Sequence, residues 1–89
     1  MRIEFDTAKN ERNIRERGLS FEQVAEFDFE TALIETDDRH DYGEARMTAM
    51  GKLNGSLHVL IFTMRGEALR VISLRKANER EVRRYEQAA

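Results

Sequence analysis

Asn54-Gly55 lies between a run that alternates from Glu44 to Lys52 and a nearly continuous apolar run from Leu57 to Thr63; this pattern constrains the fold most. Asn-Gly accepts the two positive-φ positions of a type I′ turn, whose twist matches that of paired strands, so the two runs are predicted to form a β-hairpin. An alternating strand keeps one face wet. A continuous apolar strand keeps neither, which places Leu57 to Thr63 near the centre of a sheet. Arg65-Gly66-Glu67 turns the chain again into a last strand, Ala68 to Arg75. Upstream, Thr31 to Thr36 is rich in β-branched residues and reads as a further strand, followed by a polar loop from Asp37 to Gly43.

The ends of the chain change period. Arg2-Ile3-Glu4-Phe5 alternates as a short strand with Ile3 and Phe5 inward. Asp6 stands where an N-cap belongs, before a helix reaching about Arg17, and Gly18 can take the positive φ that ends such a helix. Ser20 with Gln23 forms a capping-box pattern that opens a second, short helix, on which Phe21, Val24 and Ala25 share a face. Asn78 with Glu81 caps a final helix reaching about Tyr85. The predicted order is β-α-α-β-β-β-β-α: an α+β domain with a mainly antiparallel sheet, two N-terminal helices and one C-terminal helix, all packed to one side.

Length and composition narrow the class. Residues 1–89 have room for a single domain. The absence of cysteine excludes disulfide staples and thiolate zinc sites, and it agrees with a reducing compartment. Arg2, Glu4 and Asp6 interrupt any apolar leader, and the longest uninterrupted apolar run, Val59 to Phe62, is far too short to span a bilayer. A soluble cytoplasmic protein with no membrane partner is expected.

The net charge of −2 argues against a nucleic-acid ligand, but its distribution does not. Met1 to Glu44 carries 6 basic and 13 acidic residues, whereas Arg65 to Arg84 carries 7 basic and 3 acidic. Ligands meet local potential, screened over about 8–10 Å at cellular salt, so the asymmetry matters more than the sum.

The motifs form an ordered series. Phe5-Asp6, Lys9, Asn13 and Gly18-Leu19-Ser20-Phe21-Glu22 resemble the N-terminal signature of the BrnT toxin family. Gly43-Glu44, Arg46, Gly51, Thr63, Arg65-Gly66, Arg70-Val71-Ile72-Ser73, Arg75, Ala77, Glu81 and Tyr85 continue it in the family's order and spacing. The resemblance implies a fold related to RelE-type ribonuclease toxins, and RNA cleavage that inhibits translation and growth without a cofactor. It also implies a cognate BrnA-like, DNA-binding antitoxin that forms a hetero-oligomer with the toxin and represses their shared operon. Many relatives carry histidine just before the glycine where this chain has Arg17, and arginine stays protonated near neutral pH.

Metal-free RNA cleavage requires a deprotonated 2′-hydroxyl, in-line geometry, stabilised negative charge and a protonated 5′-oxygen. Preorganised cations stabilise the crowded phosphorane more than the ground state. Arg65, Arg75 and Arg80 are the candidate phosphate and transition-state contacts, since guanidinium forks match phosphate oxygens in pairs. Lys9, one helical turn from Asn13, is the candidate acid or base and fourth catalytic residue. Glu44 and Arg46, two apart on a strand, face one side and are assigned to RNA binding or a surface charge ladder. Arg84 shares a helix face with Arg80 and can follow a phosphate backbone, although salt pairing along the helix uses the same residues.

His58 opens an apolar strand, as a general base or a satisfied structural residue. Asp37-Asp38-Arg39-His40-Asp41 invites a metal-dependent nuclease, but Arg39 interrupts it and the spacing matches no known loop; a solvated acidic loop explains it better, so no metal is assigned. A different class of reading is a degenerate toxin that survives only as antitoxin ligand and operon co-regulator, which Arg17 and the absence of an obvious general base favour.

Overall fold

A computed structural model gives the architecture and describes residues 1–37 and 43–88. The chain forms β1 (Arg2–Glu4), α1 (Thr7–Arg17), a 3₁₀ helix (Phe21–Glu26), β2 (Leu33–Asp37), β3 (Arg46–Leu53), β4 (Ser56–Arg65), β5 (Ala68–Lys76) and α2 (Glu79–Ala88). One five-stranded sheet runs in the order β1-β5-β4-β3-β2. Its neighbours are antiparallel except β1, which pairs parallel to β5, so the sheet is mixed. The α+β class and the element order follow the sequence expectation, with β4 in the middle.

Local chemistry explains the boundaries. Asp6 accepts from the Lys9 N–H and Gly18 adopts φ +70, closing both ends of α1. Asn54 (φ 52) and Gly55 (φ 84) make the β3–β4 turn. The second N-terminal helix is a 3₁₀ helix, not an α-helix. The Ser20/Gln23 capping box is present, but Gln23 and Phe27 donate to the carbonyls three residues back, and the element ends after six residues. The strand predicted from Thr31 begins at Leu33, because Asp28 draws the Thr31 hydroxyl and the N–H groups of Glu30 and Thr31 into a turn. Residue 72 is the extra residue of a bulge where β5 passes Ile61 and Phe62 of β4.

The helices do not share a side. Leu60 and Phe62 of β4 join Phe21, Val24, Ala49 and Leu74 in the main core, against the 3₁₀ helix. Leu57 and Val59, on the alternate face, meet Met50 and the Val82 and Tyr85 side chains of α2. Because β4 is apolar on both faces, it requires cover on both. No helix among the described residues is long and apolar enough to cross a membrane.

Gly51 shows how tightly the main core is filled. A Cβ there would lie 2.7 and 2.8 Å from Phe27 ring atoms and 3.0 Å from the Ala32 Cβ. Gly51→Ala therefore lowers stability by about 1–3 kcal/mol, an effect to be read from urea unfolding midpoints.

Candidate functional site

β1 pairs only with Ala68 to Arg70 of β5. Beyond that point α1 packs against β5, and its buried Asn13 uses one amide nitrogen to donate to two carbonyls, Leu74 of β5 and Leu19, each at 2.9 Å. Asn10 adds an acceptor for the Phe21 N–H at 2.7 Å. These bonds hold α1 beside the sheet, so the cations of its outer face have a fixed address.

A depression of about 250 Å³ forms there, lined by Lys9, Arg12, Asn13, Glu16, Arg17, Phe21, Arg46, Ile72 and Ser73. Four cations thus surround one carboxylate, and Glu16 reaches Arg12 at 3.3 Å. Arg46 arrives from β3, far along the chain, and lies 3.8 Å from Glu44. Thr63 of β4, buried, donates to the Ala45 carbonyl at 2.6 Å and stands opposite Arg70 of β5, which lies 3.9 Å from Glu4. Arg65 lies two residues beyond Thr63 on the same face of β4, exposed at the hairpin end.

A second depression, about 400 Å³, lies between α2 and the sheet, with an apolar floor of Leu33, Met50, Val59 and Ile61. Its cations are committed. Arg75 forks onto Glu81, Nη1 to Oε1 at 2.8 Å and Nη2 to Oε2 at 2.7 Å, and Arg84 is bonded to Glu35. Glu81 also accepts from the Asn78 N–H at 2.9 Å while Asn78 accepts from the Glu81 N–H, so the fork joins β5 to the capped start of α2. The Arg75 fork, acting against burial and helped by the Asn78 N–H, holds the Glu81 carboxyl down to about 2, and Glu81 in turn raises Arg75.

Of the residues expected from sequence, Lys9 and Arg46 are brought together, and Glu44 accompanies Arg46. Arg75 and Arg84 line the other depression. Arg65 and Arg80 line neither, Arg80 standing exposed on α2. The anticipated gathering of Arg65, Arg75 and Arg80 beside Lys9 does not form, because Glu81 captures Arg75 and α2 carries Arg80 away from α1. Arg12 and Glu16 were not singled out from sequence, and Arg17 was noted only as standing where many relatives carry histidine, although the spacing of all three from Lys9 and Asn13 along one helix was there to be read. His58 is buried, with Nδ1 2.8 Å from the Ser56 carbonyl, as a structural residue would be. Most of the acidic segment 37–41, including His40, lies outside the described residues; among those described, no group of three His, Cys, Asp or Glu is placed to hold a metal ion.

This small α+β domain thus collects cations from distant segments in one concavity. The family model for the ribonuclease toxin BrnT of type II toxin–antitoxin systems matches residues 5–81. The chain belongs to this family. The crystal structure of the Brucella abortus ribonuclease toxin BrnT, at 1.1 Å resolution, is similar, with a TM-score of 0.72 and 32% identity over 89% of this chain and 99% of that one. Comparison with curated protein sequences finds no match.

The Glu81 carboxyl lies below its ordinary 4.5, so its contribution to stability is complete above about pH 4.5 and is lost as pH falls towards 2. Glu81→Gln should lower the Tm at neutral pH by about 5 °C or more, and that gap should close across the acid window. Differential scanning calorimetry over a pH series reads both.

Proposed function

We propose that this chain is a cytoplasmic, metal-independent endoribonuclease that arrests translation and growth and is held inactive by a cognate antitoxin. The observation that carries this reading is the convergence of Lys9, Arg12, Arg17 and Arg46 on one depression, with Glu16 in its lining and Glu44 beside Arg46. Phosphate oxygens of a single RNA strand lie against these cations, and Arg65 extends the basic track along β4. The 2′-oxygen attacks the adjacent phosphorus as the bond to the 5′-oxygen breaks. The 2′-hydroxyl proton leaves to a base and a proton reaches the departing 5′-oxygen. Lys9 and Glu16 are the lining side chains proposed to carry these protons, since arginine stays charged. Guanidinium groups fixed by the fold then stabilise the phosphorane without reorganising.

In this reading Arg75 and Arg84 position α2 through their carboxylate partners, and Arg80 contacts RNA only where the strand leaves the depression. The family resemblance supports a RelE-like relationship for the sheet and a BrnA-like, DNA-binding antitoxin as hetero-oligomeric partner. The alternative, a catalytically degenerate antitoxin ligand and co-regulator, is favoured by one feature. Arg17 lines the depression at the position where the family resemblance implies histidine in many relatives, and the described histidine of this chain, His58, is buried elsewhere.

Incubation of the purified chain with RNA should yield cleavage that persists in excess EDTA and stops when the scissile nucleotide is 2′-deoxy. Lys9→Ala and Arg46→Ala should each lower kcat/KM at least about tenfold in protein that still folds cooperatively. Folded protein that binds its antitoxin yet cuts no RNA would establish the degenerate reading instead, and cleavage abolished by the chelator would overturn metal independence.

A further inference from the structure

The two depressions adjoin on one face of the sheet. Glu35 of β2, Thr48 of β3, Ile61 of β4 and Ser73 of β5 are successive cross-strand partners and form a single row. The first three line the depression beside α2, and Ser73 lines the cationic one. In the neighbouring row Arg46 of the cationic depression stands opposite Asp37 of the other. Ile61 and Ser73 are thus one strand spacing apart, about 5 Å, at the seam between the two hollows. A nucleotide whose phosphate lies in the cationic depression has its base within reach of the second.

The hollows differ as the two parts of a nucleotide differ. Four cations and Glu16 line the first. In the second, three carboxylates accompany two guanidinium groups, and both of these are already bonded, Arg75 to Glu81 and Arg84 to Glu35. A phosphate gains nothing there. Leu33 and Ile61, half-buried, keep apolar surface open to this hollow, and Thr48 between them supplies a hydroxyl that can donate or accept. Its volume of about 400 Å³ and its apolar floor with a few polar groups suit a small uncharged ligand. A nucleobase has that chemistry, a flat apolar face and a hydrogen-bonding edge. Phosphate held next door also raises the effective concentration of its own base above that of any untethered competitor, which favours this occupant over a partner's side chain.

We propose that the depression between α2 and the sheet is a base-binding subsite, taking the base of a nucleotide whose phosphate lies in the adjoining cationic depression; this rests on the reading of the chain as an RNA-cleaving toxin. The test uses the full chain and two uncleavable 2′-deoxy pentanucleotides of equal charge, one with its bases and one abasic throughout. The wild type should bind the intact strand at least about tenfold more tightly than the abasic one, with the same salt slope for both. Ile61→Ser should weaken the intact strand at least about threefold and leave the abasic strand unchanged, a difference that general loss of structure does not produce. In NMR titrations the amides of residues 48 and 61 should shift with the intact strand only. Wild-type affinities for the two strands within about twofold overturn the subsite whatever the variant does, and leave the cationic depression intact. A folded Ile61→Ser protein that weakens both strands equally also overturns it. Amides 48 and 61 that shift with the antitoxin but not with the oligonucleotide would assign the hollow to a protein partner and overturn it as well. Failure to bind either strand removes the RNA reading, and this inference with it.

Discussion

One buried amide organises this molecule. Asn13 donates to the carbonyls of Leu19 and Leu74, tying the end of α1 and its following turn to the sheet edge that β1 leaves open. The Leu74 bond lies in the buried interior, where a carbonyl stripped of its donor costs more than the bond itself. The functional consequence is positional. Lys9, Arg12 and Arg17 radiate from a helix whose location is fixed by Asn13, and only that location brings them to Arg46 of β3.

Charge is sorted by the same topology. The acidic segment between the 3₁₀ helix and β2 ends at one edge of the sheet, and the cations of α1 lie beside the opposite part, along β5. Three of the C-terminal arginines, by contrast, are held in ion pairs: Arg70 with Glu4, Arg75 with Glu81 and Arg84 with Glu35. Arg75 and Arg84 fasten α2, a helix without a fully buried residue, through Glu81 and Glu35, and Tyr85 adds a bond to the Thr31 carbonyl at 2.9 Å. A net charge near zero therefore hides a polar molecule whose cationic depression is lined mostly from its acidic N-terminal half.

Much of the fold was legible because its signals are local. Asn54-Gly55, the Asp6 and Asn78 caps and the apolar run through β4 each act within a few residues. What escaped depends on pairing across the chain. The parallel β1–β5 contact, the 3₁₀ geometry after Ser20 and the placement of α2 on the opposite face are decided by tertiary contacts, although the two-sided apolarity of β4 already required cover on both sides. The candidate site was legible in part. Lys9 and Arg46 could be named from type and motif, but which arginine a carboxylate would capture could not. Arg75 and Glu81 are six residues apart across a strand-to-helix turn, and no periodicity announces that fork.

The salt dependence of single-stranded RNA binding tests the shared cationic depression most directly. Each phosphate contact on a single strand contributes about −0.7 to the slope of log affinity against log salt. Four cations acting together give a slope near −3, and removal of both Lys9 and Arg46 side chains should halve it. A wild-type slope shallower than about −1 would mean that no more than one cation meets the backbone, and would contradict the account.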